Sequence, residues 1–207
     1  MQKEAYVMTR VELKAAAKAQ IKGKIGILFV CYLVIFGIGL VCGLIPVVGS
    51  VASMVITPAI SLGLCLVFLG LTEGKNVEIA TLFSRFSCVG KALWLSILIG
   101  VFTFLWSLLF WIPGIVKGLS YSMAYYVLAE NPEMTAREAL NESKAIMEGH
   151  KMDLFVLYLS FILWDILVAC TFGIASVYVL PYQSATIANF YQGIKRQPQV
   201  TAEADMI

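Results

Sequence analysis

Six long apolar runs constrain the fold of this chain more than any other feature of its sequence. A helix needs about 20 apolar residues to cross a bilayer, and charged residues make up only 14% of the 207 positions, against about a quarter in soluble domains. The sequence therefore predicts an all-α polytopic membrane protein, folded as a single membrane domain over 1–207. The six predicted spans cover residues 25–45, 47–71, 92–112, 114–129, 153–171 and 174–193.

The charged residues lie almost entirely in alternate connections between these spans. Of the 15 Lys and Arg residues, Lys117 alone falls outside the connections on one side of the membrane. Because basic residues concentrate in cytoplasmic loops, that side is expected to be cytoplasmic and both termini to lie there. The interpretation is a multi-pass protein of the bacterial cytoplasmic membrane, in contact with anionic lipid headgroups.

Three similar units follow one another along the chain. Each contains a predicted helical hairpin preceded by a Gly-Lys-type start signal, and the returning helices carry related serines at Ser61, Ser120 and Ser184. We expect three hairpins in a pseudo-threefold parallel repeat, with a cytoplasmic amphipathic helix before each. The expected divisions are helix 1–24, hairpin 1 at 25–71, amphipathic segment 72–91, hairpin 2 at 92–129, amphipathic segment 130–152, hairpin 3 at 153–193 and tail 194–207.

The first amphipathic helix opens with Thr9 and Glu12, a T-x-x-E capping-box pattern. Four basic residues follow at strict i+4 spacing and would repel one another in water. They favour a helix lying on the lipid surface, although an ordinary cytoplasmic connector is the simpler alternative. This basic ridge consists of Arg10, Lys14, Lys18 and Lys22. The two later segments carry apolar stripes at Ile79, Phe83, Phe86 and Val89, and at Ala136, Ala139, Leu140, Ile146 and Met147.

Polar residues share one face of each returning helix, which predicts that these helices lie inside the bundle. Two interpretations stay open: close helix packing with hydrogen bonds, or a pathway lined by spans two, four and six. Pro58 and Pro181 lie within spans and are expected to break the helical ladder. The predicted interior stripe comprises Ser50, Ser53, Thr57, Ser61, Ser120, Tyr121, Tyr125, Tyr182, Ser184, Thr186 and Asn189.

Two opposite charges lie within the spans at similar depth, Lys117 and Asp165. Each costs about 2.5–3.5 kcal/mol at the centre of an isolated helix, and pairing would reduce that cost. We therefore predict an ion pair or a water-mediated contact between spans four and five. Separate snorkelling of both side chains to the outer interface is the alternative.

Catalytic chemistry has no signature in this sequence. His150 is the only histidine, the five cysteines form no CxxC pair, and no hydrolase, zinc-protease or phosphate-loop motif is present. We predict a protein that is not an enzyme, with no catalytic residue, no metal site, no cofactor and no nucleic-acid partner.

Several stretches nevertheless resemble a known family. They are "TRVELKAAAKAQIKGK", "AREALNESKAIMEGHKMDLFVLYLSFILW" and "FGIASVYVLPYQSATIANFY". The chain resembles domain-of-unknown-function family 975 of bacterial integral membrane proteins over essentially its whole length. The matching positions are Ser143, Gly149, Lys151, Phe155, Ser160, Phe161, Trp164, Pro181, Tyr182, Phe190 and Tyr191. Leu163 replaces the glycine usual before the tryptophan, and the family pattern has no fixed acid at Asp165.

The resemblance implies a multi-span bacterial membrane protein and supplies no activity, substrate or cofactor. From the residues we expect a membrane-organising or accessory protein that binds lipid, a membrane protein partner or further copies of itself. The alternative is a small transporter, channel or export and immunity factor.

Overall fold

The computed structural model describes the backbone of residues 9–109 and 111–204, and the side chains of 9–45, 49–108 and 113–195. Every regular element in these ranges is helical. The helices are α1 Arg10–Ile21, α2 Ile25–Gly43, α3 Pro46–Thr72, α4 Ile79–Phe83, α5 Val89–Leu109, α6 Trp111–Tyr121, α7 Ala124–Glu130, α8 Ala136–Ile146, α9 Lys151–Leu159, α10 Ile162–Cys170 and α11 Ser176–Ala204, with a 3₁₀ helix at Phe86–Cys88.

Within the described part of the chain, four helical segments are long and apolar enough to cross a membrane. They are Ile25–Gly43, Gly49–Thr72, Ile79–Leu108 and Lys151–Cys170. The protein therefore has the character of a membrane protein, with fewer such segments than the six predicted. The predicted span 114–129 is divided between α6 and α7, and α11 carries too many polar residues to qualify.

Capping residues fix the start of two helices. The predicted capping box of α1 is confirmed, since Thr9 accepts from the Glu12 amide and the Glu12 side chain accepts from Thr9. An equivalent box, not predicted, joins Thr135 and Glu138 at the start of α8. The continuous amphipathic helix expected across 72–91 does not form, because only the five-residue α4 and a 3₁₀ turn lie there.

The outgoing helices lie at the periphery and at least one returning helix lies inside. In their most apolar 18-residue windows, α2 is 11% buried and α3 is 50% buried. The prediction that the second helix of hairpin 1 is the more interior one is confirmed. In hairpin 2, five of the seven residues of α7 are buried.

The shorter helices that precede the hairpins pack on the bundle. α1 packs against α11 and α3, α4 packs against α3, and α8 packs against α7 and α5. One hydrophobic core holds Leu13 and Ala17 of α1 together with Ala139 and Leu140 of α8. Leu82 of α4 is also fully buried. The large exposed apolar side chains lie mainly on the outer parts of the hairpins, as expected of a lipid-facing surface.

Candidate functional site

The N-terminal helix α1 is docked on the protein by its apolar face. Leu13, Ala17 and Ile21 are 3%, 0% and 1% exposed, and their i+4 spacing places them in one row. Beside this row, Gln20 and Asn189 exchange two hydrogen bonds: Gln20 Nε2 donates to Asn189 Oδ1 at 3.0 Å, and Asn189 Nδ2 donates to Gln20 Oε1 at 2.7 Å. α1 is therefore held by both burial and paired amides.

Lys14 also contacts the protein. Its ammonium donates to the Ser160 carbonyl at 3.1 Å and lies 4.4 Å from the centre of the Phe161 ring. Burial, and secondarily the nearby charge of Arg10, lowers the pKa of Lys14. Lys14 was predicted to be part of the lipid-facing basic ridge. Its ammonium instead lies in the interface between α1 and hairpin 3.

The other three members of the ridge, Arg10, Lys18 and Lys22, are exposed. They lie on a helix that is fixed to the bundle by Leu13, Ala17 and Ile21, so their positions relative to the spans are defined. The prediction of a basic surface on α1 therefore describes three of its four residues.

The lysines that start hairpins 1 and 2 donate hydrogen bonds to backbone carbonyls of the protein. Lys24 Nζ donates to the Lys75 carbonyl at 2.9 Å. Lys91 Nζ donates to the carbonyls of Pro132 and Glu133 at 2.6 and 3.2 Å. In each case the lysine contacts the loop that follows its own hairpin.

The predicted helix breaks at Pro58 and Pro181 are wrong, because both prolines lie inside continuous helices, α3 and α11. Each proline removes one backbone N–H donor from the hydrogen bonds of its helix, but the helix continues on both sides of it. The observed breaks are at 122–123, between α6 and α7, and at 160–161, between α9 and α10.

Each observed break contains a serine that bonds to its own preceding turn. Ser122 Oγ donates to the Leu119 carbonyl at 2.7 Å, and Ser160 Oγ donates to the Leu157 carbonyl at 2.5 Å. α1 and α8, which lie outside the hairpins, each provide a side-chain hydrogen-bond donor near one of these breaks. Lys14 of α1 donates to the Ser160 carbonyl, and Ser143 Oγ of α8 donates to the Ser120 carbonyl at 2.8 Å.

The predicted interior stripe divides by burial. Ser120, Tyr121, Tyr182, Thr186 and Asn189 are buried, Ser53, Ser61, Tyr125 and Ser184 are half-buried, and Ser50 and Thr57 are exposed.

The hydroxyl groups of this stripe are largely occupied within the protein. Ser61, Ser120 and Thr186 each donate to the carbonyl four residues earlier, at 2.9, 2.9 and 2.7 Å. Ser184 Oγ shares a hydrogen bond of 2.7 Å with the Tyr32 hydroxyl of α2. A polar side chain that bonds to its own helix offers little to a passing solute, so this geometry favours the packing interpretation.

Cavities occur at several places among the described residues of the bundle. One of about 360 Å³ is lined by the loop 73–78 together with Glu130, and one of about 240 Å³ lies between α2 and α3. The hydroxyl residues that line the smaller cavity are Ser53, Thr57 and Ser61 of α3 and Tyr32 of α2. The third, about 630 Å³, is an apolar groove between α2 and the turn before α11.

Lys117 and Asp165 have different partners, so the direct ion pair predicted within one chain is not formed. Lys117 Nζ lies 4.8 Å from the centre of the Trp106 ring. Asp165 Oδ1 accepts a hydrogen bond of 2.6 Å from Gln183 Nε2. Each charged residue thus finds its partner on the neighbouring helix of its own hairpin.

A polar cluster centred on Glu130 was not predicted from the sequence. Its carboxylate accepts from the Tyr191 hydroxyl at 2.7 Å, from Lys195 Nζ at 2.5 Å and from Gln192 Nε2 at 3.4 Å. This cluster links the end of α7 to α11. The sequence shows that Tyr191 and Lys195 share one face of a helix through their i+4 spacing. It does not show that both contact Glu130, which lies 61 residues before Tyr191.

His150 forms a local contact at the start of α9. Its Nδ1 lies 3.3 Å from Asp153 Oδ2, and the Asp153 side chain is 55% exposed. The five cysteines are free thiols, and their exposure ranges from the buried Cys31 to the exposed Cys170.

Comparison with known proteins identifies the family of this chain. A family model described as "Protein of unknown function (DUF975)" matches residues 8–117 and 111–198. No curated protein and no solved structure matches the chain. Because the two matched segments together cover most of the chain, the protein belongs to the DUF975 family of proteins of unknown function.

Proposed function

We propose that this protein is a non-enzymatic accessory or membrane-organising protein of the bacterial cytoplasmic membrane, with α1 as its binding surface for anionic lipid headgroups. One observation carries the proposal: α1 is fixed to the bundle while Arg10, Lys18 and Lys22 stay exposed. A prearranged row of cations lowers the ordering cost of binding. Each basic residue near an anionic bilayer contributes about 1 kcal/mol.

The surroundings of α1 support a position at the lipid–water boundary. Phe29 and Trp94, which follow the first lysines of hairpins 1 and 2, are exposed. Aromatic side chains are enriched at this depth of a membrane. The termini and α1, α4 and α8 would then lie on the cytoplasmic side, and the outer hairpin turns on the opposite side.

The same proposal includes three hairpins in pseudo-threefold order. Its support is a cyclic packing pattern, in which α4 packs on the returning helix of hairpin 1, α8 on that of hairpin 2, and α1 on that of hairpin 3. The bonds of Lys24 and Lys91 to the loops after their own hairpins are a second correspondence. Parallel repeats of this kind relate units about an axis along the membrane normal.

The alternative, a small transporter, channel or export and immunity factor, stays a prediction with less support. It needs polar groups left free along spans two, four and six. The bonds of Ser61, Ser120 and Thr186 to their own helices leave those hydroxyls less available.

Lipid retention tests the proposal. We expect the purified wild-type protein, in detergent, to retain phosphatidylglycerol in preference to phosphatidylcholine by native mass spectrometry. The triple substitution Arg10→Gln, Lys18→Gln and Lys22→Gln should reduce that preference by about 100-fold. This follows because each basic residue contributes about 1 kcal/mol to binding of the anionic surface.

The matched control removes three basic residues from the other cytoplasmic segments: Lys75→Gln, Arg137→Gln and Lys151→Gln. It changes the net charge equally and should retain most of the preference. Equal loss in both triple variants would show an effect of net charge alone and would contradict a lipid site on α1.

A further inference from the structure

Asp165 lies on an apolar and exposed surface of α10. Its neighbours Ile162, Leu163 and Ile166 are 47%, 79% and 52% exposed, and Asp165 is exposed with them. Gln183 donates one hydrogen bond to its carboxylate, but an amide supplies no compensating charge. Ionisable residues within spans almost always face a bundle interior or a charged partner, so this surface lacks the element expected to cover it.

Lys117 lies in a comparable position on hairpin 2. It is half-buried, with its ammonium over the Trp106 ring, and the adjacent Ile115 and Val116 are exposed. A ring face attracts a cation but does not neutralise it. The chain therefore presents one positive and one negative group on the apolar surfaces of two different hairpins.

The two groups can be compared in depth along their own hairpins. The stacked rings of Tyr126 and Tyr191, with centroids 5.4 Å apart, provide a common reference level for hairpins 2 and 3. Gln183, the partner of Asp165, precedes Tyr191 by eight residues, and Lys117 precedes Tyr126 by nine. At 1.5 Å per residue, Gln183 lies about 12 Å from that level along the continuous α11, and the nine residues from Lys117 to Tyr126, which cross the break at 122–123, span at most about 14 Å. The two groups therefore lie at similar depth.

We infer that the protein associates with a second copy of itself, with Lys117 of one copy paired to Asp165 of the next. Copies in one membrane share an orientation, so charges at similar depth meet when the two surfaces come together. The two surfaces differ, so the contact is head-to-tail and produces a closed ring or an open row. A lipid chain on either surface would bury the charge without a counter-charge, which makes a complementary span the better occupant.

Charge reversal in two separate copies distinguishes this arrangement from pairing within one chain. Two tagged forms are co-expressed and co-purified, one carrying Lys117→Asp and the other Asp165→Lys. Each variant should lose self-association at least tenfold, because like charges then meet at every junction. The mixture should recover association to near the wild-type level, since each copy supplies the charge that the other needs.

Cross-linking provides a second measurement that keeps both charges in place. In a background with Cys31, Cys42, Cys65, Cys88 and Cys170 replaced by Ala, Val116→Cys in one copy should form a disulfide with Ile166→Cys in another. A protein carrying Ile166→Cys alone should not cross-link to itself. Lys117→Gln and Asp165→Asn, which keep side-chain size, should each weaken the 116–166 cross-link.

Two results would overturn the inference. One is a mixture of correctly folded reversal variants, judged by wild-type helicity and melting temperature, that does not recover association. The other is absence of the 116–166 cross-link, or a stronger cross-link between two copies of Ile166→Cys, which would indicate a twofold contact. None of these substitutions lies on α1, so failure here leaves the lipid proposal to its own test.

Discussion

Gly63 lies where α3 and α4 approach each other closely. A Cβ atom built on Gly63 would lie 1.9 Å from the backbone oxygen of Leu82, and Leu82 is fully buried. Since the obstructing atom belongs to the backbone, a side-chain rotation cannot relieve the contact. The absence of a side chain at Gly63 is therefore what permits the short segment before hairpin 2 to pack on hairpin 1.

We predict that Gly63→Ala destabilises the protein by about 1–3 kcal/mol, the usual cost of inserting atoms into a packed interior. Thermal or chemical unfolding in detergent measures the effect. Gly100→Ala is the matched control, because Gly100 is also within a helix and has nothing within 4 Å of a built Cβ. Equal stability of the two variants would contradict the close approach of α3 and α4.

Single residues also show where sequence reasoning succeeds. The T-x-x-E pattern at Thr9 correctly predicted a helix start, and the same pattern at Thr135 was present but not recognised. The breaks after Tyr121 and Leu159 contain no proline or glycine, and their serine-to-carbonyl bonds become evident only with the backbone in place.

At the level of elements, α1 is held by a specific polar pair as well as by burial. Asn189 is 7% exposed, so loss of its partner Gln20 leaves an amide group poorly satisfied in a buried place. Such a loss costs about 1–3 kcal/mol. The long sequence separation of 169 residues means that no local pattern could have predicted this contact.

Gln20→Ala is therefore expected to speed hydrogen exchange of the α1 backbone amides by about 5–30-fold, the equivalent of 1–2 kcal/mol. The measurement is made in a zwitterionic detergent, so that anionic lipid plays no part. Lys18→Ala is the control, since Lys18 is exposed on the same helix and lysine and glutamine have similar helix propensities. Similar exchange rates in both variants would show that the amide pair does not hold α1.

At the level of the whole molecule, the long apolar runs made the membrane character and the helical class predictable, because length and hydropathy alone decide whether a helix can cross lipid. The choice of partners was not predictable. Lys117 and Asp165 stand out in the sequence as charges within apolar runs, but which hairpin faces meet depends on packing that one sequence does not specify.

Cysteine labelling tests the proposed topology across the molecule. Leu44 and Phe172 are 82% and 99% exposed near the outer ends of hairpins 1 and 3. In the cysteine-free background, Leu44→Cys and Phe172→Cys should react with a membrane-impermeant maleimide from outside the cell. Glu133→Cys and Glu148→Cys, in the exposed cytoplasmic segments, should react only after permeabilisation. The reverse pattern would refute the proposed orientation.

The contact between Gln20 and Asn189 has a consequence for biosynthesis. α1 leaves the ribosome before its main docking surface, α11, has been synthesised. With 169 residues between the two amides and translation at about 5–20 residues per second, roughly 10–30 s pass before that surface exists. During this interval the apolar face of the nascent α1 has no docking surface within the protein. The bilayer surface or a chaperone would have to cover it.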